Sequence, residues 1–162
     1  MPNPYLPHWE YIPDGEPRAF GDRIYIYGSH DSAGSDKFCD YKLKVWSAPK
    51  NNPSNWVCHG DIFHTRADID HKSDTDWTDG DLYAPDVVEK DGKYYLYCYI
   101  MGAKGCVAVS DRPEGPFSLL STYKYTISDE VCCNGWFIDP GVFVDDDGRV
   151  YIYCGYERSF MA

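Results

Sequence analysis

The sequence predicts an all-β fold. Proline and glycine occur eleven and fourteen times in 162 residues and interrupt every stretch in which a helix would have to continue. No window of about a dozen residues keeps apolar side chains at the i, i+3, i+4 and i+7 positions of an amphipathic helix. Short alternating or aromatic runs bounded by Gly, Asp or Pro recur instead, and such runs are typical of β-strands.

Eight such runs follow one another along the chain. They are rich in Tyr, Val and Ile, and turn-forming residues separate them. Short aromatic segments at 56–60 and 115–117 follow the third and the sixth run and predict a fourth strand in each group. In chain order the predicted strands are Arg18–Phe20, Arg23–Tyr27, Lys42–Ser47, Asp86–Glu89, Lys93–Tyr99, Cys106–Ser110, Gly141–Val144 and Arg149–Cys154.

Three segments of the chain repeat one pattern. Each starts at a proline (Pro17, Pro85 or Pro140) and runs through a short strand and a tight polar turn into a longer aromatic strand. Asp-Gly turns accept the positive φ of a two-residue hairpin, and proline at a strand start removes no ladder hydrogen bond. Four-stranded units in tandem predict a β-propeller with blades at about 14–60, about 82–120 and from about 137, the last incomplete. A β-sandwich with similar hairpins is the alternative.

The composition argues against several classes of partner. A formal charge of −11 would repel phosphate backbones and anionic lipids, so we expect no nucleic-acid and no membrane partner. The apolar runs are far too short to span a bilayer. Fifteen Tyr and five Trp suit neutral ligands such as sugars, because these rings offer an apolar face and a polar tip.

The seven cysteines indicate the cellular compartment. Their number is odd and they form no CxxC pair, which argues against a closed disulfide framework or a zinc finger. Cys98 and Cys154 lie in Tyr-rich strands, where a thiol acts as a small apolar group. We therefore expect a reduced cytoplasmic protein, or a secreted one if a signal peptide has been removed.

Several motifs of the chain resemble glycoside hydrolase family 43. They occur in the family's order over nearly the whole chain. The resemblance implies a five-bladed propeller, with about three blades in this chain. It also implies an enzyme that hydrolyses arabinofuranosyl or xylosyl linkages of oligo- or polysaccharides with inversion. The motifs are Asn3–Pro7, Pro13–Pro17, Tyr27–Ser29, Tyr83–Val88, Ser110–Phe117 and Ile138–Gly148.

Inverting hydrolysis sets the requirements for catalytic residues. One carboxylate deprotonates the attacking water. A protonated carboxyl about 6.5–9.5 Å away donates its proton to the leaving oxygen, and a further carboxylate raises the pKa of that acid. The resemblance implies a base at the Asp-Pro of the first blade and a pKa-modulating Asp at the Asp-Pro of the third. Asp139 matches the modulator. For the base, Glu16 has the matching position before Pro17 and Asp14 has the matching side chain, so both are candidates.

The general acid has no counterpart in this sequence. The resemblance implies a Glu on a fourth blade, whereas Glu157 comes too early and Glu114 lies in the outer turn of the second blade. The repeat prolines are 68 and 55 residues apart, so 162 residues fall short of three complete units. We expect an N-terminal portion of a propeller that needs C-terminal blades or a second copy of itself. A non-catalytic carbohydrate-binding or assembly module is the alternative.

Further residues are candidates for substrate binding. His30 and Asp31 end an inner-blade strand and are expected to line the pocket, with a plain turn as the alternative. Four aromatic residues flank predicted pocket strands and would stack on sugar faces, unless they serve inter-blade packing. They are Trp77, Tyr83, Trp136 and Phe137.

The acidic segment 61–81 is expected to be a solvated loop at the rim of the pocket. It carries His64 and His71, but its Asp pairs do not follow the EF-hand template. The sequence therefore predicts no metal site and no cofactor.

Overall fold

The computed structural model describes residues 4–101, 105–120, 138–156 and 158–162. These ranges contain strands and turns but no helix, so the all-β prediction is confirmed. Nothing in them forms a helix of the length and apolarity that a membrane span needs. The strands are β1 Glu16–Phe20, β2 Arg23–Gly28, β3 Lys42–Pro49, β4 Val57–His64, β5 Leu82–Lys90, β6 Lys93–Ile100, β7 Cys106–Ser110, β8 Ser118–Leu119, β9 Gly141–Val144, β10 Val150–Cys154 and β11 Phe160–Met161.

The strands form three antiparallel sheets in which each strand pairs with the next one along the chain. The first sheet contains β1 to β4, the second β5 to β8 and the third β9 to β11. Gly21 and Gly92 adopt positive φ values of 54° and 74° in the tight turns that join β1 to β2 and β5 to β6. These turns need only two residues, so each hairpin forms from local contacts.

The three sheets pack face to face. Val87 and Val88 are neighbours in β5, but Val87 belongs to an apolar cluster with the first sheet and Val88 to a cluster with the third. Side chains alternate between the two faces of a strand, so the second sheet is covered on both faces. As expected for small apolar groups, Cys98 lies in the first of these clusters and Cys154 in the second.

The outer faces of the stack differ. Residues 4–13 lie over the first sheet, where the rings of Trp9 and Trp46 are 6.1 Å apart and Trp46 Nε1 donates to buried Glu10 at 3.2 Å. On the third sheet, Phe143, Tyr153 and Met161 share the face that points away from the second sheet and are 54%, 49% and 56% exposed. This exposed apolar face is called the open face below.

The inner strands β1, β5 and β9 converge on a narrow cleft. Residues from all three sheets line it, among them Arg18, Val87 and Val142. β1 belongs to the first sheet and β9 to the third. These two strands are therefore brought together by packing of the sheets and not by proximity in the sequence.

Candidate active site

Three residues with the same unusual backbone conformation lie at or near the starts of the inner strands. Asp14, Ala84 and Asp139 have φ values of 54°, 38° and 50°. Residues other than glycine rarely adopt this left-handed region, which costs about 1 kcal/mol or more and occurs often at functional sites. The sharp bends therefore mark one end of the cleft as the candidate site.

Strand register shows that these three positions are equivalent. Each lies two residues before a residue that pairs with a tyrosine of the following strand. The proline alignment of the sequence matched Glu16 with Asp139, whereas the strand register matches Asp14 with Asp139. The proline of the first repeat comes two residues later because Gly15 occupies the position that Pro85 and Pro140 have in the other sheets. The pairs are Glu16–Tyr27, Asp86–Tyr97 and Gly141–Tyr153.

Asp14 and Asp139 form one carboxylate pair, although they come from the first and third sheets. Both residues reach the surface. Partial burial, and then the negative charge of Asp14, raise the pKa of Asp139. Like-charge repulsion of this kind favours the protonated form of Asp139, so its carboxyl holds its proton to higher pH than an ordinary aspartate.

Ser29 connects Asp14 of this pair to the second sheet. Its fully buried hydroxyl donates to Oδ2 of Asp14 at 3.1 Å and accepts a hydrogen bond from the backbone nitrogen of Ala84 at 2.8 Å. One hydroxyl therefore sets the position of Asp14 relative to the second sheet. Ser29 ends the Tyr27–Ser29 motif of the first repeat, but the motif alone does not indicate this role.

Glu16 has a different environment. It shares a face of β1 with Arg18, whose Nη2 lies 3.7 Å from Oε1 of Glu16. Burial and the charge of Asp86 raise the pKa of Glu16, and Arg18 opposes them. The structure thus groups Glu16 with Arg18 and Asp86, and Asp14 with Asp139.

His30 and Asp31 both have partners inside the protein. His30 is 9% exposed, with Nε2 3.2 Å from Oε1 of buried Glu10. Burial and the charge of Lys44 lower the pKa of His30. Asp31 accepts a hydrogen bond from the backbone nitrogen of Cys39 at 2.6 Å. These contacts keep the segment that follows β2 in position. Substrate binding by His30 and Asp31 stays a prediction.

The predicted aromatic residues separate into two groups. Tyr83 directly precedes the bend at Ala84, and its ring lies 6.2 Å from Phe38 in a T-shaped contact and 5.7 Å from Tyr99. Phe38 is 71% exposed, so these rings form an accessible aromatic wall beside the bend. Trp77 packs against the apolar cluster between the first two sheets. Trp136 and Phe137 lie outside the described residues.

Cys39 is a neighbour of the candidate site that no sequence pattern indicates. It is 7% exposed and has a φ of 65°. Burial raises the pKa of its thiol to about 11, with the charges of Asp14 and Asp31 adding to the effect and a hydrogen bond to Ser29 opposing it. The thiol is therefore neutral near pH 7 and contributes no further negative charge.

A second cluster of polar side chains lies at the outer edge of the first sheet. Asp61, His64, Asp68 and His71 each offer one possible metal-ligating atom, and these atoms lie within 4.8 Å of one another. Burial lowers the pKa of His64, but the nearby carboxylates of Asp61 and Asp74 outweigh it and raise the pKa to about 9. The cluster is distinct from the pair of Asp14 and Asp139.

Comparison with known proteins identifies the family. The family model described as glycosyl hydrolases family 43 matches residues 11–160. The chain belongs to glycosyl hydrolase family 43. The resemblance seen in the sequence motifs is thereby confirmed.

Individual members of family 43 are similar to the chain over most of its length. A xylosidase/arabinosidase from Thermoclostridium stercorarium is 39% identical over 95% of the chain, and xylosidase/arabinosidase 43A from Humicola insolens is 37% identical over 90%. The crystal structure of the GH43_1 enzyme from Xanthomonas citri complexed with xylose superposes with a TM-score of 0.73 and 29% identity over 95% of the chain. These likenesses confirm the propeller class.

The chain is shorter than these family 43 members. It spans 33% of the Thermoclostridium protein, 43% of the Humicola protein and 42% of the Xanthomonas chain. The sheets described above therefore correspond to less than half of each relative.

Proposed function

We propose that the protein to which this chain belongs hydrolyses arabinofuranosyl or xylosyl linkages of glycans by a single displacement with inversion. The observation that carries the proposal is the pair of Asp14 and Asp139, which three docked sheets bring together at one end of the cleft. Family 43 relatives named xylosidase/arabinosidase, and a relative complexed with xylotriose, support the pentosyl substrate.

Asp14 is the proposed general base. Ser29 occupies one lone pair of Oδ2, which leaves the other lone pairs of the exposed carboxylate free for a water molecule. Asp14 takes a proton from that water as its oxygen bonds to the anomeric carbon. The bond from this carbon to the leaving oxygen breaks on the opposite side, and that oxygen takes a proton from a general acid. This acid is proposed to come from a further blade.

Asp139 is the proposed pKa modulator. Its carboxylate would raise the pKa of the general acid by like-charge repulsion, in the same way as the charge of Asp14 raises that of Asp139. Asp139 would also orient the substrate, because its carboxyl lies near enough to Asp14 for the charge of Asp14 to raise its pKa.

Glu16 is assigned a structural role rather than the role of the base. Its carboxylate has a cationic partner in Arg18, and strand register places it two residues beyond the position that Asp139 occupies in the third sheet. We therefore propose Asp14 rather than Glu16 as the general base.

The open face supports the proposal that further blades of the same protein complete the ring. Phe143, Tyr153 and Met161 expose apolar surface of the kind that is covered between the first and second sheets. A second copy of the chain is the other candidate partner. Sedimentation of the chain separates the two, because a stable dimer would favour self-association.

Hydrolysis assays test the proposed function directly. The chain, and a longer form that matches the family 43 relatives in length, are incubated with aryl arabinofuranosides and aryl xylosides. NMR identifies the anomer of the sugar that forms first. We expect the longer form to release the inverted sugar, Asp14→Asn to abolish turnover and Glu16→Gln to retain most of it. A folded longer form that turned over none of these pentosides would overturn the hydrolase proposal. Binding without turnover would support the carbohydrate-binding alternative.

A further inference from the structure

Two Asp-x-x-His motifs lie seven residues apart, one formed by Asp61 and His64 at the end of β4 and the other by Asp68 and His71 in the following loop. The structure brings both motifs together, with one potential ligand atom from each residue within 4.8 Å of all the others. We propose that these four side chains bind one divalent transition-metal ion, with zinc as the best-fitting class. The site is separate from the proposed catalytic pair.

A β-bulge brings the first two ligands together. Lys44 pairs with Asp61 and Leu43 with Phe63, so Ile62 is an extra residue in β4. Residues three apart in a regular strand point to opposite faces, whereas a bulge redirects the side chains beside it. As a result, Nε2 of His64 lies 3.5 Å from Oδ2 of Asp61.

A hydrogen-bonded turn holds the second two ligands. Oδ1 of Asp68 accepts from the backbone nitrogens of Asp70 and His71 at 2.9 and 2.8 Å, and the Asp68 nitrogen donates to the His71 carbonyl at 2.9 Å. Nδ1 of His71 lies 3.3 Å from Oδ1 of Asp68. The His71 ring stacks on His64 with a centroid separation of 4.4 Å, which joins the two motifs.

Nε2 of the buried His64 side chain is an independent indication that a ligand binds here. His64 is 2% exposed, and among the described residues its Nε2 is buried without a hydrogen-bond partner. A buried polar atom in this state costs about 1–3 kcal/mol. A metal ion bound at Nε2 would remove that cost.

Asp74 contacts the other imidazole nitrogen of His64, Nδ1. Its Oδ2 lies 3.7 Å from Nδ1 of His64 and accepts the backbone nitrogen of His64 at 2.8 Å. Histidines that bind metals usually present their other nitrogen to a carboxylate, which orients the ring and increases its basicity. Nε2 is thus the nitrogen directed toward the cluster.

The ligand types select the metal. Two imidazoles and two carboxylates match the tetrahedral nitrogen and oxygen sets that zinc accepts, whereas calcium takes about six to eight oxygen ligands. Two carboxylate charges also balance a divalent ion. Lys42, whose Nζ lies 3.2 Å from Oδ2 of Asp61, is the cation with which the metal must compete.

Metal binding would fix the loop that leads to the candidate active site. Thr65 follows His64 and donates its hydroxyl to the Gly80 carbonyl at 2.6 Å, close to the start of β5 and to Tyr83. A metal that ties β4 to the 68–71 turn would therefore hold the first part of the 65–80 loop in place, while the bond from Thr65 to Gly80 joins the two ends of the loop.

Titration of the metal-depleted chain with Zn²⁺ and Co²⁺ tests the site. We expect one bound ion and, for Co²⁺, the intense visible absorption of a four-coordinate site. His71→Ala and Asp68→Asn should each weaken binding by at least about tenfold. The matched control is His8→Ala, because His8 is an exposed histidine outside the cluster. Lys42→Met should strengthen binding, because it removes the competing cation.

Two results would overturn the proposal. One is zinc binding that is absent or that responds equally to the His71 and His8 substitutions. The other is a thiolate-to-cobalt charge-transfer band, which would place the ion on cysteines. The His71 side chain is 44% exposed, so His71→Ala should keep the fold, and circular dichroism of each variant verifies this.

Discussion

Arg18 of the first sheet and Asp86 of the second form a two-pronged ion pair in the cleft between the inner strands. Arg18 Nε donates to Asp86 Oδ1 at 2.7 Å, and Nη2 donates to Oδ2. The Asp86 carboxylate also accepts the backbone nitrogen of Val142 at 2.6 Å, while Arg18 donates to the Val142 carbonyl at 3.1 Å. Two side chains thus connect all three inner strands, which carry the bends at Asp14 and Asp139.

Breaking this ion pair should destabilise the protein strongly. Asp86 is 1% exposed, so Arg18→Met leaves a buried carboxylate without its cation, at an expected cost of about 3 kcal/mol in the free energy of unfolding. Denaturant unfolding measures the change. The control is Asp111→Asn, which removes the exposed partner of Lys93 at 2.6 Å and should leave the unfolding midpoint unchanged. Equal losses from both substitutions would contradict this role.

Adding one methyl group at Gly28 should disturb the segment that carries Asp14. A Cβ at Gly28 would collide with the Ile12 side chain and lie 2.8 Å from the Pro13 carbonyl oxygen. Gly28→Ala should therefore cost about 2 kcal/mol by overpacking. Gly141→Ala serves as the control, since the nearest atom to its Cβ is the Tyr153 carbonyl oxygen at 3.9 Å. The two unfolding midpoints are compared, and a tolerated Gly28→Ala would rule out the close approach.

Removing the charge of Asp14 should lower the pKa of Asp139. Burial is the larger cause of the raised pKa and Asp14 the second, so Asp14→Asn should return the pKa part of the way to its ordinary value. NMR titration of the carboxyl carbon of Asp139 measures this pKa directly. Glu16→Gln is the matched control and should leave the titration unchanged. If both variants shifted the pKa alike, Asp14 would not be the specific neighbour.

Asp139→Asn should make the protein more stable at neutral pH. The folded-state pKa of Asp139 is raised above its unfolded value, so the contribution of Asp139 to stability is complete below the unfolded pKa. That contribution is lost as the pH rises through the folded pKa. A neutral amide avoids the loss, and the melting temperature should rise slightly at pH 7 but not at pH 3. A lower melting temperature at pH 7 would show that the ionised carboxylate makes a favourable contact.

The sequence predicted the strands best where turn residues bound them closely. The bounds of β7 and β9 agree with the expected ones, and proline or glycine stands near their ends. β4 runs on to His64, beyond the expected segment at 56–60, because the polar residues at its end pair with β3. Such pairing depends on tertiary contacts, which local composition does not encode.

The candidate site was predictable only in part for the same reason. The repeat pattern aligned Glu16 with Asp139, and Asp14 was a second candidate only because its side chain matches the aspartate that the family resemblance implies. The two-residue shift at Glu16 depends on strand register, and the role of Ser29 depends on the approach of Ala84 from another sheet. The loop after β4 was expected to be solvated, yet Thr65 and Thr75 are buried in it through hydrogen bonds that only the folded chain can form.

The meander order of the strands has a consequence for the sequence of folding events. Hairpin contacts within one sheet span few residues and form early, whereas Asp14 and Asp139 are far apart in the chain and meet only after the three sheets have docked. We therefore expect the carboxylate pair to form last, so that an intermediate with complete hairpins would lack it. The raised pKa of Asp139 is then a kinetic marker for the final docking step.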